Sequence, residues 1–151
     1  MTSIVVDTSA VMAILRAEPG AQWLSRQLQR SDRRLMSTGS GLELGMVLES
    51  RTTNLTTLDA VRSLQIELTP FDEAQFELGL RAWRKFGKGR HPASLNFGDC
   101  FTYALAKVTD LPILCIGNDF AQADLAVLTP PQTRLPAVSR AGARRPRPGR
   151  G

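Results

Sequence analysis

The sequence predicts an α/β fold in which a central, mainly parallel sheet of four to five strands lies between two layers of helices. Continuous apolar runs such as SIVV at residues 3–6 and PILCIG at residues 112–117 are typical of strands covered on both faces. Stretches with the helical spacing of apolar residues separate these runs, and strands that alternate with helices form parallel sheets. At 151 residues, the chain has the length of one domain.

Five strands and six helices are predicted along the chain. The strands are predicted at residues 3–6, 34–37, 67–71, 112–117 and 125–128. The helices are predicted at residues 7–15, 21–29, 41–51, 58–68, 73–86 and 99–109. Residues 87–97, which contain glycine and proline, are predicted to form a loop.

The apolar spacing within two of these helices predicts which side of each faces the core. In helix 73–86, Phe76, Leu80 and Trp83 are expected on the inner face. Trp23 and Trp83 are both interpreted as packing residues. The inner face of helix 99–109 is expected to carry residues at i, i+3, i+4 and i+7: Phe101, Ala104, Leu105 and Val108.

The charge of the chain is unevenly distributed. Residues 1–133 carry 13 basic and 14 acidic side chains, whereas the last 18 residues carry six arginines and no acid. These arginines are Arg134, Arg140, Arg144, Arg145, Arg147 and Arg150. We therefore expect a folded domain at 1–133 and a disordered Arg/Pro/Gly-rich basic tail at 134–151, able to attract RNA or an acidic partner.

The composition argues against a membrane or secreted protein. No apolar run approaches the roughly 18 residues that span a bilayer, and the N-terminus lacks the basic region of a signal peptide. Cys100 and Cys115 have no CxxC spacing and are expected to be reduced and buried. We expect a cytoplasmic protein without a membrane partner.

Four acidic residues stand near the ends of predicted elements. Asp7 ends the first strand, Glu43 lies in the first turn of the helix after the second strand, and Asp119 follows strand 112–117 directly. Asp99 opens the helix that leads into that strand. Because the carboxyl ends of parallel strands share one edge of the sheet, Asp7, Glu43 and Asp119 are expected at the edge where α/β proteins bind ligands.

Each of these acids also has a purely structural interpretation, and taken singly that interpretation is favoured. Asp7 fits an N-cap, and Ser40 with Glu43 matches the S-x-x-E capping box. Asp119 fits a turn. Asn96 is available to cap the last helix, which leaves Asp99 in the first turn, ionised beside the helix dipole and free to point outward.

Taken together, the four acids indicate a metal site. Clustered carboxylates raise one another's pKa unless a cation lies among them. Oxygen ligands without nearby histidine or cysteine select Mg²⁺ or Mn²⁺ over zinc. Such ions activate water and neutralise charge on a phosphodiester. The pattern therefore predicts metal-dependent phosphoryl transfer.

Four segments carry a resemblance to a known family over residues 4–124: VVDTSAVMAIL, STGSGLELGMVLESR, RKFGKGRHPASLNFGDCFTYALAK and LPILCIGNDF. The chain resembles the PIN-domain ribonucleases, specifically the VapC-type toxins of bacterial toxin–antitoxin pairs. The resemblance implies a three-layer PIN-like nuclease domain and an acidic pocket formed by Asp7, Glu43, Asp99 and Asp119.

The resemblance also implies roles, a cofactor and partners. Asp7 and Asp99 would be the principal ligands of Mg²⁺, with Mn²⁺ as a substitute, while Glu43 and Asp119 would be auxiliary. The hydroxyls of Thr8 and Ser9 would support the metal or water network. The family implies a homodimer, endoribonuclease action and silencing by a cognate VapB antitoxin. In-line attack by a metal-bound hydroxide on the phosphorus should leave 5′-phosphate and 3′-hydroxyl ends.

A group of basic residues is a candidate RNA-binding surface. Four of them fall at i, i+3, i+4 and i+7, opposite the expected inner face of helix 73–86, and a fifth follows. We refer to the set as the basic stripe: Arg81, Arg84, Lys85, Lys88 and Arg90. It is interpreted either as a solvated helix surface or as a phosphate track toward Asp99.

Two further functions fit parts of the sequence. A phosphatase with Asp7 as nucleophile would require a second aspartate two residues on, and position 9 is serine. A non-catalytic module that binds RNA or a protein partner through the basic stripe and the tail is the main alternative. Absence of metal-dependent RNA cleavage would favour this alternative.

Overall fold

The computed structural model describes residues 2–51 and 54–132, so the predicted tail at 134–151 lies outside the described residues. The strands are β1 (Ser3–Val6), β2 (Arg33–Ser37), β3 (Glu67–Thr69), β4 (Ile113–Leu114) and β5 (Val127–Leu128). The helices are α1 (Thr8–Leu15), α2 (Ala21–Arg30), α3 (Thr38–Glu49), α4 (Thr57–Ser63), α5 (Glu73–Phe86) and α6 (Phe97–Thr109). A 3₁₀ turn covers Phe120–Gln122.

The five strands form one parallel sheet in the order β3-β2-β1-β4-β5. Chain order runs outward from β1 in one direction through β2 and β3, and β4 and β5 lie on its other side. The topology therefore reverses between β1 and β4, and a crevice forms at such a switch point outside the carboxyl ends of the strands. The backbone N–H of Asp7 donates to the Leu114 carbonyl at 3.0 Å, which joins the two strands at that edge.

Two apolar cores lie on opposite faces of the sheet. Ile4 and Val6 of β1 pack among side chains of α1 to α4, whereas Val5 points to the other face and packs against α5 and α6. This alternation explains why β1 is apolar without interruption, since both faces of a central parallel strand are buried. The predicted α/β/α fold with a parallel sheet is confirmed.

Several element bounds differ from the predictions for local reasons. Helix α3 begins at Thr38 rather than at residue 41, because Ser37 caps it by accepting a bond from the Gly39 N–H at 3.2 Å. The predicted Ser40–Glu43 capping box is therefore wrong. The predicted helix 58–68 ends at Ser63, and Gln65 adopts a left-handed φ of 53° just before β3.

The predicted inner face of α5 is wrong. Phe76 is 54% exposed and Trp83 is 42% exposed. The residues that α5 buries have the same helical spacing, displaced by one position: Gln75, Gly79, Ala82 and Phe86. This face packs against α6, and a Cβ on Gly79 would make an ordinary contact with the Cys100 carbonyl oxygen at 3.4 Å.

The remaining packing predictions have mixed outcomes. Val108 is 48% exposed rather than on the inner face of α6, whereas Trp23 is partly buried against the α1–α4 core, as expected. Cys100 and Cys115 are both free thiols, but only Cys115 is fully buried. None of the helices in the described part of the chain combines the length and apolarity that a membrane crossing requires.

Candidate active site

The four predicted acids meet in a cavity of about 290 Å³ at the switch point of the sheet. We call this cavity the acidic pocket. Its lining residues are Asp7, Thr8, Ser9, Glu43, Asn96, Asp99, Ile116, Asp119 and Phe120. No lysine or arginine is among these described lining residues. The fold thus gathers carboxylates from four separate segments without a compensating basic side chain.

Asp7 is held by three hydrogen-bond donors at the end of β1. Its Oδ2 accepts from the Ser9 N–H at 3.0 Å and from Ser9 Oγ at 2.6 Å. Its Oδ1 accepts from Thr102 Oγ1 at 2.6 Å. Asp7 is 6% exposed and, as one of the interpretations expects, it is also the N-cap of α1. Capping and a place in the pocket are therefore compatible.

Ser9 links Asp7 to the segment after β4. Its Oγ donates to Asp7 and accepts from the Ile116 N–H at 3.1 Å. The residue that takes the place of the aspartate needed by a phosphatase therefore orients Asp7 instead of acting as an acid.

Asp99 combines a capping role with a place in the pocket. Asn96 caps α6 by accepting from the Asp99 N–H at 2.9 Å, and Asp99 Oδ2 accepts from the Asn96 N–H at 2.9 Å. Burial, together with the charges of Asp7, Asp119 and Glu43, raises the pKa of Asp99 to about 7, against the lowering effect of the bond from the Asn96 N–H. Asp99 therefore does not point freely outward as expected, since it bonds back to Asn96, and its raised pKa opposes the expected ionised form in the metal-free protein.

Glu43 reaches the pocket from α3 through a gap left by a glycine. A Cβ on Gly98 would lie 2.5 Å from both carboxylate oxygens of Glu43, so any side chain at this position would displace the carboxylate. Thr8 Oγ1 lies 3.2 Å from both Glu43 Oε2 and the Ser40 carbonyl oxygen, so these two acceptors share its one proton. Burial and the charge of Asp7 raise the pKa of Glu43, against the hydrogen bond from Thr8.

Asp119 lies at the mouth of the pocket and is the least constrained of the four acids. It follows β4, is exposed, and precedes the 3₁₀ turn without a side-chain capping bond.

The acids of the pocket also affect the two cysteine thiols. Burial and the charges of Asp7, Asp99 and Asp119 raise the pKa of Cys115 to about 12. Burial and the charge of Asp99 raise the pKa of Cys100 to about 11. Both thiols are therefore protonated at neutral pH.

Three residues that the sequence analysis missed support the pocket: Gly98, Thr102 and Ser40. Gly98 stands in the first turn of α6, directly before a candidate acid. Thr102 and Ser40 are buried hydroxyl residues, and their oxygens lie 3.1 Å apart. Thr102 follows Asp99 by three positions and so shares its face of the helix, which is the one signal that the sequence offers.

The donor set fits Mg²⁺ or Mn²⁺. In residues 2–51 and 54–132, no three histidine, cysteine or acidic side chains converge closely enough to form a ready-made metal site. Burial and, in addition, the charges of neighbouring acids raise the pKa values of Asp99 and Glu43, so the acids repel one another across the pocket. A divalent cation would relieve the repulsion, and carboxylate oxygens are the ligands these ions prefer.

The members of the basic stripe are all exposed but do not share one helix surface. Arg81, Arg84 and Lys85 lie on α5, whereas Lys88 and Arg90 follow its end at Phe86. The expected helical register through Lys88 is therefore wrong. The Arg90 guanidinium stacks 4.0 Å from the centroid of the Trp83 ring. None of the five residues forms an ion pair within the described ranges.

An apolar groove of about 500 Å³ adjoins the acidic pocket, and both are lined by Asn96. We call it the aromatic groove. Its aromatic lining residues are Phe71, Phe76, Trp83, Phe97 and Phe101. Phe97 is 81% exposed. Phe76, Leu80 and Trp83, which were predicted to lie on the inner face of α5, therefore line this open groove.

Comparison with known proteins assigns the family. The PIN domain family model matches residues 4–126. The chain is 39% identical over 131 residues to ribonuclease VapC30 of Mycobacterium tuberculosis, covering 85% of this chain and 100% of the relative. It is 42% identical over 128 residues to ribonuclease VapC of Mycolicibacterium smegmatis, covering 83% and 99% of the two chains.

Solved structures with the same fold include two that are described as toxins or toxin complexes. VapC20 of Mycobacterium tuberculosis, a Sarcin-Ricin loop cleaving toxin, has a TM-score of 0.64 at 15% identity, covering 82% of this chain and 96% of its own. A toxin–antitoxin complex from Klebsiella pneumoniae has a TM-score of 0.62 at 14% identity, covering 86% and 99%. At these identities the likeness concerns the fold. The matches over most of its length show that this chain belongs to the PIN-domain family and, within it, to the VapC ribonucleases.

Proposed function

We propose that this chain is the toxin of a toxin–antitoxin pair and a divalent-cation-dependent endoribonuclease that hydrolyses RNA phosphodiester bonds in the acidic pocket. The observation that carries the proposal is the convergence of Asp7, Glu43, Asp99 and Asp119 at the switch point, without a basic residue in the described lining. The curated relatives are named as ribonucleases, which supports RNA as the substrate.

The residues of the pocket would share the binding of Mg²⁺ or Mn²⁺. We assign Asp7 and Asp99 as the principal ligands and Glu43 and Asp119 as auxiliary ones, with the hydroxyls of Thr8 and Ser9 in support. When bound, such an ion supplies activation of water and neutralisation of charge on the phosphodiester. A cation is also needed for RNA to approach the pocket, since four carboxylates would otherwise repel its phosphates.

The protein's own contribution is to orient groups around the scissile phosphate. Ser9 and Thr102 fix the direction in which the Asp7 carboxylate faces the pocket. Glu43 is held from one side by Thr8, through Oε2. Its other oxygen, Oε1, can therefore accept a hydrogen bond from the attacking water and align it with the phosphorus.

The basic stripe would guide RNA toward the pocket. Its cations are exposed and without acidic partners among the described residues. Residues 1–133 carry a net charge of only −1, so a local group of cations dominates the field on this side of the domain. Phosphate contacts from exposed lysine and arginine supply affinity without sequence preference.

A VapB-type antitoxin and a second copy of the chain are the proposed protein partners, and the cytoplasm is the proposed location. Structural neighbours described as a toxin–antitoxin complex and as a member of the VapBC family of toxin–antitoxin systems support the antitoxin. Two exposed apolar surfaces support protein contacts: the aromatic groove, and Leu42 with Met46 on α3, which are 68% and 69% exposed. Light scattering should report a dimer for the natural chain and a monomer for Trp83→Asp if the groove forms the dimer contact.

The nuclease unit is proposed to end near residue 133, with residues 134–151 adding non-specific attraction for RNA through six arginines. Removal of residues 134–151 should leave the cleavage rate at saturating RNA unchanged and weaken RNA binding. An inactive, unfolded truncation would contradict the proposed boundary.

Cleavage of a broad RNA panel by the purified protein tests the proposed function. Cleavage is expected with Mg²⁺ or Mn²⁺ and not with EDTA, and the products should carry 5′-phosphate and 3′-hydroxyl ends. Asp110→Asn is the matched control for Asp7→Asn, because Asp110 is an exposed aspartate outside the pocket. RNA binding without cleavage under all metal conditions would instead favour a non-catalytic binding module.

A further inference from the structure

Thr102 makes an unusual hydrogen bond for a buried threonine in a helix. Such a hydroxyl commonly donates to the carbonyl four residues earlier, as Thr109 Oγ1 does to the Leu105 carbonyl at 2.6 Å. Thr102 lies in the same helix and is 0% exposed. Its Oγ1 instead donates across the fold to Asp7 Oδ1 at 2.6 Å. The bond therefore joins α6 to the end of β1.

A second hydroxyl stands behind Thr102. Ser40 Oγ on α3 lies 3.1 Å from Thr102 Oγ1, and Ser40 is as deeply buried as Thr102. A threonine hydroxyl has one proton, and Thr102 gives it to Asp7. Ser40 must therefore donate to Thr102, which sets the direction of the chain of bonds from Ser40 through Thr102 to Asp7.

These bonds limit how Asp7 can face the pocket. A carboxylate oxygen offers about two lone-pair sites. Oδ2 uses both for the Ser9 N–H and the Ser9 hydroxyl. Oδ1 uses one for Thr102 and keeps one. Rotation of the carboxylate would break bonds on both oxygens, so Asp7 offers one oxygen in one fixed direction.

We propose that Thr102, backed by Ser40, is a positioning residue that fixes the Asp7 carboxylate so that Oδ1 presents its remaining lone pair to a divalent cation. The inference rests on the proposed function, because it takes from it that Asp7 binds the ion. It adds that the orientation of this ligand is set from α6 and α3, by two hydroxyls that never touch the ion or the RNA.

Direct binding of Mn²⁺ to the full chain without RNA tests the inference, with free Mn²⁺ measured by electron paramagnetic resonance. Thr102→Val removes the donor while keeping the volume, and should weaken Mn²⁺ binding by about 10- to 100-fold, as loss of an outer partner of a metal ligand does. Thr102→Ser keeps the donor and should stay within about threefold of the natural chain. Ser40→Ala should weaken binding by roughly threefold to tenfold.

Thr109→Val is the matched control, since it makes the same substitution in the same helix at a hydroxyl that bonds only within the helix. Its Mn²⁺ affinity should equal that of the natural chain. Excess Mn²⁺ should also restore RNA cleavage by Thr102→Val, because the positioning residue acts on the ligand and not on the RNA.

The outcomes separate this inference from the proposed function. Natural Mn²⁺ affinity in Thr102→Val would overturn the positioning role and leave metal binding by the pocket intact. Absence of Mn²⁺ binding by the natural chain would overturn both. If Thr102→Val does not fold, as judged by circular dichroism, Ser40→Ala decides, and an unchanged affinity in that variant overturns the inference.

Discussion

The two ends of the acidic pocket are built differently. Asp7 is 6% exposed and accepts three hydrogen bonds, from Ser9 and Thr102. Asp119 is exposed and has no side-chain capping bond. Like charges repel, so a fold can bury an acid in such a cluster only where donors stabilise it. The pocket thus has an anchored carboxylate at its base and an exposed one at its mouth, and we expect the anchored end to place the proposed ion.

The largest expected effect comes from removing the anchor. Asp7→Asn should reduce the rate of RNA cleavage by about 10³-fold, since loss of a principal ligand exceeds the 10- to 100-fold cost of losing its outer partners. Asp119→Asn should cost about tenfold, because an exposed auxiliary carboxylate contributes less. Single-turnover cleavage assays, with Asp110→Asn as control, measure both. Equal losses in the two variants would remove the distinction between the ends of the pocket.

Gly98 offers a way to disturb the pocket without touching a carboxylate. Gly98→Ala would place a Cβ 2.5 Å from both oxygens of Glu43 and displace them. Cleavage should fall by about 10- to 100-fold, the cost of a misplacement of about 1 Å in an active site. The control is Gly79→Ala in α5, where the nearest atom would be at an ordinary 3.4 Å.

A double variant sharpens the Gly98 experiment. If the glycine acts through Glu43, Gly98→Ala combined with Glu43→Gln should be no slower than Glu43→Gln alone. Additive losses would mean that Gly98 serves the pocket by another route.

The basic stripe lies outside the pocket and should respond differently. Charge reversal at Arg84 and Lys85 should weaken RNA binding by about tenfold, and should reduce the slope of log affinity against log salt by about 1.4, for two lost contacts to single-stranded RNA. Reversal of Arg26 and Arg30, exposed on α2, changes the net charge equally. Filter binding across a salt series compares the two pairs. Equal effects would leave net charge, and not the stripe, as the cause.

The smallest expected effect is on stability, and it concerns Asp99, which lines the pocket together with Asp7 and Asp119. In the folded protein Asp99 keeps its proton to about pH 7, against an ordinary pKa of 3.8. The unfolded chain releases that proton earlier, so the metal-free protein should lose stability as pH rises from about 4 to about 7. Asp99→Asn removes this penalty and should raise the melting temperature at pH 8 by roughly 2 to 6 °C.

Calorimetry in EDTA at pH 8 and pH 5 measures this gain, which should be much smaller at the lower pH. Mg²⁺ should then stabilise the natural chain at pH 8 and have little effect on Asp99→Asn. A variant destabilised at both pH values would show that Asp99 serves the fold through its capping bond and carries no electrostatic penalty.

The sequence predicted the features that depend on the residues of one helix or strand alone. Buried strands such as β1 show as continuous apolar runs, and acids at strand ends, such as Asp7 and Asp119, could be placed at one edge of the sheet. The orientation of α5 could not be read, because Phe76 and Trp83 have the same period as the buried face and differ from it by one position. The spacing of apolar residues gives the helical period but not which of two adjacent faces is buried. In the fold, the face with Gly79 and Ala82 packs against α6.

The residues that orient the acids of the pocket could not be predicted from the sequence either, for a different physical reason. Gly98 matters because Glu43 of another helix approaches it, and Thr102 matters because its hydroxyl reaches β1. These are tertiary contacts between segments up to 95 positions apart. One element alone shows only a poor helix former and a buried polar residue. The acids could be listed from their pattern, but the groups that orient them required the fold.

Mapping of RNA 5′ ends after induced expression tests the central claim most directly, which is that the acidic pocket hydrolyses RNA and that Asp7 anchors it. Cells that express the natural chain should accumulate new 5′-phosphate ends at discrete positions. Cells that express equal amounts of folded Asp7→Asn should lack them. The same new ends in both would contradict the claim.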